Sequence, residues 1–170
     1  MSPTVVSFIK ASLLSLATGV ILGVLMALRV LPQADVPQFL TSAHAHVNLL
    51  GAVMMLIFGV GYHILPRFSG RPLWNERMAD VQLWLNVVGL VGMFVALIVA
   101  AYSTRDLLRY AVAPFGAVYS LGALLFVLNI YKTITGALPA PAPLKVAGGL
   151  GGAPAGRPGE DGPAGPKPGT

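Results

Sequence analysis

The chain contains no cysteine. Disulfides, iron–sulfur clusters and thiolate zinc sites are therefore excluded. Charge is scarce as well: 10% of the residues are Asp, Glu, Lys or Arg, against about 25% in an ordinary soluble domain. With so little charge, much of the surface must face something other than water. Between Asp35 and Arg67 there is no charged residue at all. No carboxylate pair and no nucleophile–base pair stands out, which argues against an enzyme acting alone. The net charge of +5 comes without a basic run interleaved with aromatics, so nucleic acid is not an expected partner. Histidine is rare too, at three residues, and each position therefore carries weight.

What is present is apolar, at 55% of the chain. Four charge-poor segments run from about Val5 to Leu28, Ser42 to Leu65, Asp80 to Arg105 and Leu107 to Tyr131. Each supplies the roughly 20 residues a helix needs to cross the hydrocarbon core, and membrane lipid is the expected surroundings. Backbone exposed to lipid must satisfy its own hydrogen bonds, so the segments are read as helices. The expected fold class is all-α: a polytopic bundle of four transmembrane helices over residues 1–135. The apolar run from Ala11 to Leu28 exceeds the usual signal-peptide core of roughly 7–15 residues, and it is read as a retained span. Tyr62, Trp74, Trp84, Tyr102, Tyr110 and Tyr131 stand near segment ends, where rings favour the interface. Residues 136–170 are dominated by Gly, Pro and Ala. Such a composition has little to bury, and a disordered tail without chemistry is expected there.

Orientation follows from Lys and Arg. With four spans, Lys10, Arg67, Arg71, Arg77, Lys132 and Lys145 lie on one side. Arg29, Arg105 and Arg109 lie on the other. Basic residues close to span ends mark the cytoplasmic face. The expected location is the bacterial inner membrane, multi-pass, with both termini cytoplasmic.

Histidine in lipid usually ligates, carries a proton or makes a hydrogen bond. His44 and His46 sit where the second segment begins, and His63 sits near its other end. Imidazoles at both ends of a span in a chain without cysteine point first to heme. On a regular helix His44 and His46 diverge by about 200°, so they do not grip one metal together. His63 is roughly 25 Å further along the axis. Interhelical hydrogen bonding stands beside ligation as a reading of His46 and His63. Arg67 and Arg71 are candidates for heme propionates or anionic lipid, with topological anchoring as the default. Asn48, Gln82, Asn86 and Asn129 are expected to join helices by hydrogen bonds. Asn48 or Gln82 is also suited to orienting an imidazole from behind. Met54 and Met55 are read as packing residues, although thioether sulfur can ligate heme iron. Gly51, Gly59, Gly61, Gly89 and Gly92 permit close helix approach.

The stretch Ser42-Ala-His-Ala-His-Val-Asn-Leu-Leu-Gly51, followed by Tyr62-His-Ile-Leu-Pro-Arg-Phe-Ser-Gly-Arg-Pro-Leu-Trp74, resembles the second helix of the heme–copper oxidase catalytic subunit. The likeness is closer to the cbb-type oxidase and nitric oxide reductase branch. In that family the second helix opens with a histidine that ligates the low-spin heme b. It closes with a Tyr-x-x-x-Pro-Arg-like turn. The resemblance places His44 at the ligand position and His46 where the family often has Asn. It covers about residues 40–85 well and the flanking helices only in general character. A short four-span group of subunit-I-like proteins is the better match to the whole chain. The implied cofactor is heme b. Copper is not expected: the family's copper histidines, its second low-spin ligand and its active-site heme ligand lie in later helices without counterparts here.

The leading expectation is a heme b protein of the membrane, with metal-ligand candidates His44, His46 and His63 and cofactor contacts from His44, His46, Arg67 and Arg71. It would act in respiratory electron transfer or in binding O2 or NO. A homo-oligomer or a larger respiratory complex would supply the second axial ligand. The alternative is a cofactor-free accessory or assembly subunit of a respiratory membrane complex. A transporter is the weaker reading, since no span holds a charged residue well inside its apolar run. The orientation is testable in a chain that has no native thiol. A cysteine introduced near Arg105 should react with an impermeant maleimide added outside the cell, and one near Arg71 should not. Outside labelling near Arg71 would reverse the topology.

Overall fold

The computed structural model describes residues 1–103 and 110–136. Among the described residues, five α-helices and one π-helical segment make four spans. Helix α1 covers Pro3–Ala27. The second span is one continuous rod: α2 (Pro37–His46), a π-helical segment (Val47–Met54) and α3 (Met55–Ser69). Helix α4 covers Glu76–Ala101 and α5 covers Val112–Thr135. All four spans are long and apolar enough to cross a membrane, and the described residues contain no strand. Of the tail expected over residues 136–170, all but Gly136 lies outside the described residues, as does the stretch 104–109.

Local chemistry sets the ends. Ser2 caps α1 by accepting from the Val5 amide at 3.4 Å, with Pro3 in the first turn. A proline there removes no needed donor. Asn75 caps α4 by accepting from the Met78 amide at 3.0 Å, and Glu76 follows in the first turn. These two groups meet the exposed amides and the positive end of the helix dipole. They start the third span four residues before the expected Asp80. The second span likewise starts at Pro37, ahead of Ser42. The Tyr-x-x-x-Pro-Arg stretch is not a turn: α3 runs through Pro66 to Ser69. Pro66 removes one helical donor, and the helix stops after Ser69, at the Gly70 cap. There a φ of 65° lets the Arg71 amide bond back to the Pro66 carbonyl at 3.0 Å. Glycine takes that left-handed conformation without strain.

The spans alternate in direction. Thr4 Oγ1 donates to Asp80 Oδ1 at 2.5 Å, and Asn129 Nδ2 donates to the Asn75 carbonyl at 2.8 Å. One end of the bundle thus gathers the starts of α1 and α4 with the ends of α3 and α5. At the other end the Val36 amide donates to the Ala101 carbonyl at 2.9 Å. There Ala43, Met93 and Leu97 pack with Leu22, Phe39 and Phe115.

Two seams of small residues hold the spans together. Along α1, Ser12, Ser15 and Gly19 are buried. They face Ala52, Gly51 and Asn48 of the second span in antiparallel order. A Cβ on Gly51 would stand 2.6 Å from Ser15 Cβ. Between α4 and α5, a Cβ on Gly89 would stand 2.6 Å from the Tyr119 backbone nitrogen. Close backbone approach of this kind is what small residues provide in lipid. Phe8, Phe58, Tyr62 and Phe126 fill the space between the seams, with ring centroids 4.7–6.0 Å apart. The outer faces carry Leu14, Ile21, Leu49, Val60, Val91 and Leu124, all exposed, as lipid-facing positions should be.

Buried amides cross-link the bundle as expected, with Gln82, Asn86 and Asn129 fully buried. Tyr62 donates its hydroxyl to Gln82 Oε1. Gln82 Nε2 donates to Asn86 Oδ1 at 3.2 Å, and Asn86 Nδ2 to the Tyr119 carbonyl at 2.9 Å. Asn129 Nδ2 reaches the Tyr62 hydroxyl at 3.4 Å. Tyr62 is thus a core residue, 5% exposed, and not the interface anchor its place near a segment end implies. Gln82 is engaged with Tyr62 and Asn86 and does not support a histidine.

The π segment is held from two sides. Ser12 Oγ donates to the Ala52 carbonyl at 2.6 Å, and the Tyr119 hydroxyl donates to the Leu50 carbonyl at 2.8 Å. A widened turn exposes carbonyls that a regular helix would engage, and such segments recur at functional sites.

Gly89→Val should destabilise the purified protein by about 1–3 kcal/mol, because its neighbour is backbone and the helices must separate. Gly116→Ala should be tolerated, since the nearest atom to its Cβ is Met93 Sδ at 3.9 Å. Detergent-titrated unfolding of both variants checks the contrast. Tyr119→Phe should leave the bundle folded and raise amide exchange over residues 47–54. Exchange unchanged from wild type would show that the hydroxyl does not hold the π segment.

Candidate functional site

His44 lies in the last turn of α2, three residues before the π segment. Its imidazole is half-buried against α1: a Cβ on Gly23 would come 2.7 Å from His44 Cε1 and 3.6 Å from Nε2. Only glycine at position 23 leaves room for that ring. Behind it, Asn48 Nδ2 donates to the His44 carbonyl at 2.8 Å and stands 3.5 Å from Nδ1. The second distance is at the edge of hydrogen bonding and does not lock the ring's tautomer. His44 Nε2 has no hydrogen-bond partner among the described residues.

The other candidates are not brought to His44. The backbone is α-helical through His46, so the divergence of about 200° between the two imidazoles stands. His46 Nδ1–H donates to the Ser42 carbonyl at 2.7 Å, which leaves Nε2 as its acceptor nitrogen. His63 is at the opposite end of the second span. Arg67 lies one turn beyond it, with a guanidinium nitrogen 2.6 Å from His63 Nδ1 and 2.9 Å from the His63 carbonyl. A neighbouring cation opposes metal binding at that ring. Arg71 donates to the Ile134 carbonyl. Arg67 is roughly 35 Å from His44 along the rod, and Arg71 lies past its end, so they do not share a cofactor pocket with it. Among the described residues no group of three or more His, Asp or Glu converges on a point.

The residues at His44 fit one side of a heme. The ring presents a nitrogen without a protein partner, Gly23 opens a slot beside it, and Asn48 stands behind it. Val20 and Val24 of the same helix as Gly23 are exposed apolar residues. A second axial ligand is not among the described residues at that end. Sequence reasoning missed Gly23, Ser12 and Tyr119. The four-residue spacing Ser15, Gly19, Gly23 was available as a signal for a close helix contact. Nothing in the sequence marks Tyr119 or the π segment.

The model for the family described as cytochrome c and quinol oxidase polypeptide I matches residues 1–138. Among curated relatives, the chain is 23% identical over 163 residues to the cbb3-type cytochrome c oxidase subunit CcoN1 of Stutzerimonas stutzeri. That alignment covers 82% of this chain and 34% of the relative. It is 28% identical over 120 residues to a cytochrome c oxidase subunit 1 homolog of Agrobacterium tumefaciens (strain T37), covering 56% of this chain and 22% of that relative. The chain therefore spans about a third and about a fifth of their lengths. No solved structure matches it. With four membrane-spanning helices and a family match over most of its length, this multi-pass membrane chain belongs to the cytochrome c and quinol oxidase polypeptide I family.

Proposed function

We propose that the chain binds heme b through His44 Nε2 and serves respiratory electron transfer or the binding of O2 or NO. The observation that carries the reading is the unpartnered imidazole nitrogen of His44 beside the slot at Gly23, in a chain of this family. A heme bound there supplies one-electron chemistry or a site for a diatomic gas. His44 Nε2 would hold the iron, and Asn48 stands where it can bias the ring's other nitrogen. Gly23 and Gly19 keep α1 close without filling the slot. Ser12 and Tyr119 fix the π segment that follows the ligand. A further ligand to such a heme would come from residues outside this bundle, a second copy of the chain or another subunit of a respiratory complex among them. The bacterial inner membrane, with Lys10, Arg67, Arg71, Arg77 and Lys132 facing the cytoplasm, is the setting this reading assumes.

A second reading, a cofactor-free accessory or assembly subunit, draws on one observation: the three histidines do not converge. The two readings separate on the absorption spectrum of the purified protein. His44→Ala should lose heme, measured as pyridine hemochrome against protein. His63→Ala should retain it. His46→Ala should be intermediate, because its imidazole diverges from that of His44 yet lies in the same turn. If wild type made with ample heme carries none, the accessory-subunit reading takes over. Loss of heme from His63→Ala with retention in His44→Ala would move the site to the opposite end of the rod.

A further inference from the structure

A second cavity lies far from His44, between the α3–α4 connection and the last turn of α5. It measures about 410 Å³ and is lined by Arg71, Pro72, Leu73, Trp74, Lys132, Thr133 and Gly136. Two of these residues are cations and none is acidic. We infer that this cavity binds the phosphate of an anionic phospholipid headgroup; the inference is independent of the heme reading.

Arg71 is the residue that calls for an anion. Its guanidinium is held by the bond to the Ile134 carbonyl, yet its Nε is buried without a hydrogen-bond partner. A buried donor on a charged group is expensive to leave unmet. An anion in the cavity would answer that charge, and the planar guanidinium suits a phosphate better than a point cation does. Lys132 adds the second positive charge from α5. The walls are fixed independently of any ligand: the Trp74 amide donates to Thr133 Oγ1 at 3.0 Å, and the Asn75 amide donates to Asn129 Oδ1 at 3.1 Å. The site lies at the ends of two spans, at headgroup depth. Trp74 and Tyr131 are both exposed there, as interface rings are. Basic pockets between helices at this level are suited to anionic headgroups. The carboxylates nearest in sequence do not interfere. Glu76 and Asp80 line a different cavity with Tyr62, His63 and Arg67, and Asp80 accepts from Thr4.

The test is a native mass-spectrometric titration of the full chain in detergent. Phosphatidylglycerol is compared with phosphatidylcholine of the same acyl chains, and inorganic phosphate is added alone in a parallel thermal-shift arm. Wild type should prefer phosphatidylglycerol. Arg71→Gln should weaken its binding by roughly five-fold or more, and Lys132→Gln by roughly five-fold, at about one charge's worth each. Arg77→Gln, which removes a cation at the same end but outside the cavity, should match wild type. Equal weakening by Arg77→Gln would reduce the effect to general surface charge and overturn the site. Stabilisation by inorganic phosphate equal to that by the lipid would overturn the lipid as its occupant. Should Arg71→Gln fail to fold, Lys132→Gln carries the same comparison, and its binding the lipid like wild type overturns the site.

Discussion

Hydrogen bonds from side chains to the neighbouring helix are the interactions on which this bundle depends. In lipid an apolar side chain gains little by exchanging tails for another helix, so packing and polar contacts must set the arrangement. Tyr62, Gln82, Asn86 and Asn129 form one connected set, each bond worth about 0.6–2 kcal/mol. Together they tie three spans: Tyr62 comes from α3, Gln82 and Asn86 from α4, and Asn129 from α5. The set begins at the end that holds Asn75 and extends inward to the Tyr119 carbonyl. The same tyrosine's hydroxyl then reaches the Leu50 carbonyl in the π segment. The half of the bundle around His44 relies more on close packing, through Ala43, Met93, Leu97 and the α1 seam.

How much of this was legible depends on the physical signal. The four spans were, because their length and lack of charge are properties of composition alone. The helix-joining role of Gln82, Asn86 and Asn129 was also legible, because an amide in lipid must find a partner. Which partner it finds is a matter of tertiary geometry. Tyr62 illustrates the point: a ring near a span end reads as an interface anchor until Gln82 and Asn129 are seen to meet its hydroxyl. Pro66 reads as a helix end, but near a C-terminus one missing donor is tolerated and Gly70 makes the stop. The π segment has no local code, since the hydroxyls of Ser12 and Tyr119 that hold it come from other spans.

The candidate site shows the same division. His44 was singled out by resemblance to a family motif, and periodicity alone separated it only from His46. The Gly23 slot lay in the four-residue spacing of Ser15, Gly19 and Gly23, which reads equally as ordinary packing. Arg67 and Arg71 read from the sequence as candidates for heme propionates or anionic lipid, with anchoring as the default. A continuous helix turns nearness in sequence into separation: every residue adds about 1.5 Å along the axis. Proximity in a transmembrane motif therefore says little about proximity in a site unless the residues fall within a turn or two.

The two ends of the molecule consequently have different chemistry. One end carries Arg67, Arg71 and Lys132 with the amide network behind them, and it resembles a headgroup-facing surface. The other carries an imidazole in a slot between α1 and α2, flanked by exposed valine and leucine. On the proposed reading, a heme at His44 has this bundle on only one of its sides. Residues beyond this bundle would have to close the rest of its surface. Cofactor retention and assembly are then one equilibrium: any contact that stabilises the partner interface also raises heme affinity, and the reverse holds by linkage. On that reading the slot at His44 would be half of a heme site, with its strength set as much by its neighbour as by His44.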